Sequence, residues 1–158
     1  MFYLSNLEKK DVFIDIPETD INGIVFHILK NSMFPRKKDA FREIIDREQL
    51  ATTSIGNHVA MPHCRLKDFS EIYVKFAMFK NNLGYIAPNG QEIRFVFLIV
   101  GPEDDTTYYL RSLIHIKRII KNSCVQKELL QAEHKKQIIQ ILSRHENKLL
   151  EQNLILWK

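Results

Sequence analysis

The chain has 158 residues, is 45% apolar and 27% charged, and carries a formal net charge of +4. This composition suits one domain with a single core and excludes an intrinsically disordered chain. No apolar run approaches the roughly 18 residues that span a bilayer. The opening Met1 to Lys10 mixes polar and charged residues without a secretory apolar core. The expected address is therefore cytoplasmic, with no membrane association.

Two cysteines, Cys64 and Cys124, with no CxxC pair, exclude a disulfide scaffold and read as reduced thiols. The basic residues are dispersed as Arg36-Lys37-Lys38, Lys117-Arg118 and Lys135-Lys136. None of these clusters interleaves with aromatics, so they read as solvated faces and not as a nucleic-acid interface. A basic surface still favours an anionic group or an acidic partner.

In chain order, Thr19 or Asp20 can cap a helix whose Ile21, Ile24, Val25, Ile28 and Leu29 recur at helical spacing. Pro35 suits the first turn of a second helix through about Gln49, burying Phe41, Ile44 and Ile45. Gly56-Asn57 reads as a turn, and His58 to Met61 as a short extended piece stopped by Pro62. Ile72 to Phe79 alternates as a strand. Asn81 to Gly84 and Asn89-Gly90 are turn signals flanking a short strand or loop. Ile93 to Val100 is nearly all apolar, as in a strand buried on both faces, and Gly101-Pro102 ends it. Thr106 or Thr107 opens a helix carrying Leu110, Leu113, Ile116 and Ile120. Ser123 with Gln126 makes a capping box for a short helix through Leu130. A last helix uses Ile138, Ile141, Leu142 and Leu149, before an apolar tail Leu154 to Trp157. Helices at both ends with strands between predict an α/β layer structure. No repeat or linker divides residues 1–158.

The chemically informative segment is Arg47 to Arg65. His63 follows Pro62 at the end of an extended piece, on backbone whose φ is fixed just before it. Such a rigid mounting suits a nucleophile in phosphoryl transfer, where positioning supplies much of the rate. Neutral imidazole offers a lone pair at physiological pH and can carry phosphate as a reactive N-phosphate. Taken alone, however, a histidine near a turn is more often structural or simply exposed.

The longer motif shifts that balance. Ile55-Gly56-Asn57-His58-Val59-Ala60-Met61-Pro62-His63 resembles the signature of fructose/mannitol-type phosphotransferase-system (PTS) IIA domains, including the nitrogen-regulatory IIA proteins. Arg47-Glu48 lies at the family's upstream distance. The stretch through Asn89-Gly90, Phe95 to Val100 and Gly101-Pro102 resembles its central strand and following loop. The resemblance covers roughly residues 5 to 145. It implies an α/β single domain with a mixed parallel/antiparallel sheet, helices on both sides and a shallow site at the sheet edge. It implies that His63 accepts phosphate from a small phosphohistidine protein of the HPr type. Arg47 would spread guanidinium charge over the phosphoryl oxygens; as a bare sequence feature, Arg47 equally reads as a cation favoured by a helix C-terminus. Neither metal nor other cofactor is implied. The onward partner is a IIB domain in sugar uptake, or a regulatory target protein in the nitrogen-type role. The expectation leans to the latter because no transporter segment or second phosphoryl-carrying domain is fused here, while the Ile-Gly-Asn form resembles the fructose and nitrogen groups more than the mannitol group. A degenerate, non-transferring binding module is the remaining alternative.

Three departures from the family pattern stand out. Ser54 and His58 occupy usual glycine positions, where glycine permits close approach or positive φ. The family's second histidine, at the start of the helix after Gly-Pro, falls on Tyr109 by an ungapped count from Pro102; His115 could replace it only in a different register, and His58 is the closer candidate in sequence. Other chemistries fit less well. His58, His63 and Cys64 match no common zinc spacing. Adjacent His63 and Cys64 point to opposite faces of extended chain, which excludes a dyad and makes Cys64 a packing residue. Ser54 lacks a nucleophile elbow. His27 and His134 read as surface or helix-packing residues.

Overall fold

A computed structural model describes residues 2–81 and 84–156, with backbone alone at 155 and 156. The trailing Trp157 and the Asn82-Leu83 part of the expected turn lie outside the described residues. The order is β1 (Val12–Ile14), α1 (Ile21–Lys30), α2 (Lys37–Leu50), β2 (Ser54–Gly56), β3 (Val59–Ala60), β4 (His63–Leu66) and β5 (Tyr73–Met78). There follow β6 (Tyr85–Ile86), β7 (Glu92–Ile93), β8 (Phe95–Pro102), α3 (Thr106–Ile120), α4 (Ser123–Gln131) and α5 (Lys135–Leu156).

The main sheet runs β1-β5-β8-β3-β2, with β4 also on β8; β6 and β7 form a separate hairpin. β8 pairs antiparallel with β5 along one edge. Along the other edge it pairs parallel first with β3 and then with β4. The sheet is thus mixed and has helices on both faces, as expected. Burial on both faces explains why β8 reads as an unbroken apolar run. Val96, Leu98 and Val100 face α1 and α2 with Ala60, Cys64 and Leu66. The alternate residues Phe95, Phe97 and Ile99 face α3 to α5 with Val59, Met61 and Val74.

Several boundaries differ from the sequence reading, each for a local reason. Pro35 lies in the turn before α2, and the helix starts after Arg36, whose backbone is left-handed at φ 54°. His58 is not in extended chain. Asn57 (φ 52°) and His58 (φ 65°) form the β2–β3 hairpin turn, where two consecutive positive φ values match strand twist. Ile93 belongs to the β6–β7 hairpin, whereas Gly101 and Pro102 continue β8 because β4 pairs as far as Pro102. Asp105, not Thr106, caps α3 by accepting from Tyr108 N–H at 3.0 Å. Asn122, not Ser123, caps α4. Gln126 instead donates to the carbonyls of Asn57 and Ile120. Leu110, expected on a buried face, is 48% exposed, and α3 buries Tyr109 and Ser112 alongside the expected Ile116 and Ile120. The short β1 was unread: three residues hold too little pattern to register.

Candidate functional site

The site begins at the C-terminal end of α2, where two consecutive side chains hold the segment leading to β2. Arg47 donates from Nη1 to the Ala51 carbonyl at 3.0 Å. Glu48 accepts from Thr53 N–H at 3.0 and 3.1 Å and from the Thr53 hydroxyl at 2.9 Å. The buried Thr53 in turn accepts at its carbonyl from Met61 N–H at 3.1 Å. Pro62 then interrupts pairing between β3 and β4, and Ile99 N–H caps its carbonyl at 3.0 Å.

His63 opens β4 opposite Ile99, so its side chain lies on the α3 face of the sheet, while Cys64 turns into the α1/α2 core. His63 Nδ1 is 2.6 Å from the Met61 carbonyl. A carbonyl only accepts, so Nδ1 carries the proton and Nε2 carries the lone pair. Burial holds the imidazole pKa below its ordinary 6.5. The Met61 hydrogen bond and Glu48 pull it back up, while Arg47 lowers it further. The imidazole is therefore biased toward its neutral form, with the lone pair on Nε2.

A cleft of about 290 Å³ opens beside this imidazole. Its sheet side comprises Arg47, Thr52, Thr53, Ile55, Met61 and His63; α3 supplies Leu110, Leu113, Ile114 and Lys117. A larger groove of about 890 Å³ lies farther along α3, by Tyr3, Tyr108 and Arg111; it shares Ile114 with the cleft but is not lined by His63, Arg47 or Tyr109. Within the cleft, Arg47 makes no other hydrogen bond among the described residues, which leaves Nη2 and Nε as donors for an anion.

Tyr109 lies in the first turn of α3 with its ring centroid 6.0 Å from that of His63. It packs over Gly101, where an added Cβ would fall 2.6 Å from Tyr109 Cδ2. Burial raises its phenol well above the ordinary 10, with Cys64 adding to the rise and Arg65 and Arg47 opposing it, so the ring stays neutral. Arg65, two residues along β4 on the same face as His63, sits 5.7 Å from the Tyr109 centroid and donates to Thr106 Oγ1.

Of the four residues singled out from sequence, His63, Arg47 and Tyr109 come together here. His58 does not. It is exposed on the hairpin turn, bonded through Nδ1 to the Glu92 carbonyl at 2.9 Å. Its neighbour Val59 pairs with Phe95, four residues along β8 from the partner of His63, roughly 13 Å at about 3.3 Å per residue. His115 is engaged by Glu146 at 2.9 Å and lines the larger groove. His27 bonds Glu18 at 3.1 Å, and His134 Nδ1 accepts from Gln137 N–H. His58, His63 and Cys64 do not converge, and the described residues hold no group of three or more His, Cys, Asp or Glu able to bind a metal. No helix among the described residues is long and apolar enough to cross a membrane.

Three contributors were given no role from sequence. Glu48 and Thr53 are five apart and show no periodic signal. Lys117 does carry one: with Leu110, Leu113 and Ile114 it forms an i, i+3, i+4, i+7 stripe along α3.

The sequence model of the phosphoenolpyruvate-dependent sugar phosphotransferase system EIIA 2 family matches residues 6–145. The chain is 28% identical over 107 residues to a nitrogen regulatory protein of Bradyrhizobium diazoefficiens, covering 68% of this chain and 70% of that protein. It is also 28% identical over 110 residues to the fructose-specific EIIABC component of Bacillus subtilis; this takes in 69% of the chain but only 17% of that protein. Among solved structures, the nitrogen regulatory protein IIA-Ntr of Neisseria meningitidis superposes with a TM-score of 0.75 at 20% identity, covering 88% of this chain and 97% of that one. The enzyme IIA of mannitol from Escherichia coli, solved in complex with phosphorylated enzyme IIB, gives 0.67 at 14% identity, covering 87% and 97%.

Proposed function

Because the chain belongs to the phosphoenolpyruvate-dependent sugar phosphotransferase system EIIA 2 family, we propose that it is a phosphoryl carrier that takes phosphate on Nε2 of His63. The supporting observation is the Met61 carbonyl on Nδ1, which leaves Nε2 as the lone pair beside an arginine-lined cleft. The donor is a phosphohistidine protein of the HPr type. The His63 Nε2 lone pair forms the new N–P bond as the donor's N–P bond breaks, and the donor imidazole departs with that electron pair. His63 keeps its Nδ1 proton throughout, so the Met61 hydrogen bond survives the transfer. The charge on phosphorus spreads over three oxygens in the transition state, and Arg47 is the cation placed to share it.

Onward use follows the nitrogen-type regulatory role, in which the phosphorylated and free forms present different surfaces to a target protein. Likeness to a nitrogen regulatory protein over 70% of that protein's length supports this reading. Equal identity to 17% of a fructose-specific EIIABC component supports the second, delivery of phosphate to a IIB domain. Both roles are cytoplasmic. The test is incubation with a phosphorylated HPr-type donor, read by intact mass and by acid lability. Wild type gains one acid-labile phosphoryl group and His63→Ala gains none, with the fold retained because the side chain lies at the sheet edge. Undiminished labelling of His63→Ala refutes the assignment.

A further inference from the structure

The carboxylate of Glu48 is half-buried beside the cleft and has a charge that the phosphoryl-transfer scheme above does not use. Among the described residues, all of the carboxylate's hydrogen bonds go to a single residue: both oxygens accept from Thr53 N–H, and one also accepts from the Thr53 hydroxyl. Thr53 is 4% exposed, so those donors have no access to water as a substitute. The other end of Thr53 is equally committed, its carbonyl accepting from Met61 N–H at 3.1 Å. Met61, also 4% exposed, is the residue whose carbonyl accepts from His63 Nδ1 at 2.6 Å. Three consecutive hydrogen-bonded steps thus run from α2 to the imidazole, each fixing the residue that makes the next.

We propose that Glu48 is a positioning residue for His63: by clamping Thr53 it fixes the Met61 carbonyl, and that carbonyl selects the imidazole tautomer with the lone pair on Nε2. The inference rests on the carrier reading of His63 for its functional meaning, though not for its structural content. The segment 51–53 that Glu48 grips has no strand of its own. Its only other side-chain tie to α2 among the described residues is Arg47 on the Ala51 carbonyl. Without Glu48, the Thr53 N–H and hydroxyl are left as buried donors, and the Met61 backbone loses its fixed neighbour. A displaced Met61 carbonyl no longer distinguishes Nδ1–H from Nε2–H, and an imidazole protonated on Nε2 cannot attack phosphorus from the cleft.

The charge of Glu48 has a separate effect. The groups facing His63 are Arg47 and Glu48 from α2, Tyr109 and Lys117 from α3, and Arg65 from its own strand. Glu48 is the one anion among them, and it opposes the lowering of the His63 pKa by Arg47.

Ring-nitrogen NMR of the unphosphorylated protein reads both effects without any transfer reaction. In wild type, His63 shows the Nδ1–H tautomer. In Glu48→Ala, the Nε2–H tautomer becomes populated, and phosphoryl acceptance from the donor falls about tenfold or more. Glu48→Gln keeps an acceptor for Thr53, so the tautomer is retained while the His63 titration midpoint drops for want of the anion. Thr53→Val, which loses only the hydroxyl, gives an intermediate tautomer ratio. An unchanged tautomer in a folded Glu48→Ala overturns the proposal. Should that variant not fold, a wild-type tautomer ratio in Thr53→Val overturns it instead. If wild type takes no phosphate on His63, the carrier reading fails, and the tautomer still decides the positioning role.

Discussion

Glu146 offers a test of how the outer helix is held against the rest of the domain. Its carboxylate is fully buried and accepts from the backbone N–H of Tyr3, Leu4 and Ser5, from the Ser5 hydroxyl, and from His115 Nε2. Burial alone would push its pKa up, but the His115 bond and the three backbone donors outweigh that, and the carboxyl sits at about 2 against an ordinary 4.5. At roughly 1.4 kcal/mol per pK unit, the ionised form contributes on the order of 3 kcal/mol to stability. Because the folded value is depressed, this contribution is complete above the unfolded pKa. It shrinks as pH falls, to about 1.4 kcal/mol at pH 3, and is gone below pH 2. Glu146→Gln keeps one acceptor oxygen but sets an amide group among donors. It should lower the urea midpoint at pH 7 by about 1–3 M and speed hydrogen exchange at the amides of residues 3 to 5. The gap from wild type should narrow on acidification, because wild type loses its own carboxylate charge. A gap that is equally wide at pH 7 and pH 3 would show that ionisation contributes nothing, and a shift under about 0.3 M at pH 7 would refute the clamp itself.

The remaining predictions concern the site. Arg47→Ala should slow phosphoryl acceptance by roughly 10- to 1000-fold, the scale of losing one charged stabiliser. Arg47→Lys should recover only part of this, since a point charge lacks the planar fork. Rapid-quench transfer kinetics decide, and equal rates at equal stability would leave Arg47 as a tie to Ala51 alone. Tyr109→His should raise the rate or the phosphorylated fraction at equilibrium, because an imidazole can become cationic beside the phosphoryl oxygens. Tyr109→Phe should lower both, and no change in either variant would reduce Tyr109 to packing. Gly101→Ala should cost about 1–3 kcal/mol by denaturant unfolding, since its Cβ would lie within 2.7 Å of both Tyr109 and Ile72 side chains; a neutral substitution would mean the ring moves freely.

Much of the frame was legible in the residues because burial leaves strong patterns. β8 is an eight-residue strand buried throughout, and no surface helix yields such a run of branched and aromatic side chains. α1 announced itself through five apolar residues at helical spacing and an Asp20 cap that accepts from Gly23 N–H at 2.7 Å. His63 and Arg47 were singled out through a motif, and Tyr109 by counting from Pro102; the fold places the Tyr109 ring beside the His63 imidazole, which shares its cleft with Arg47. What sequence could not show was the work of single residues without periodicity. Glu48 joins Thr53 across a helix end, and Glu146 joins residues 3 to 5 across more than 140 positions. His58 was misplaced for a conformational reason. Its positive φ follows from its place in the two-residue turn, where asparagine is tolerated and histidine less so, and nothing in its side chain signals that geometry.

The two-edged pairing of β8 also bears on when, during folding, the site comes into being. Residues 63 and 99 are register partners, so the backbone that mounts His63 is completed only by a strand 36 positions downstream. The opposing edge of β8 is taken by β5, a nearer and more easily closed pairing, and β1 joins β5 from 64 positions away (12 and 76). Loop-closure entropy orders these events from near to far. A nascent chain that has emerged as far as residue 94 already contains His63, Arg47 and Glu48, yet has no edge on which to array them. On the proposed role, the site that takes phosphate is assembled only once β8 has joined β4, after residues 63 and 99 have come together.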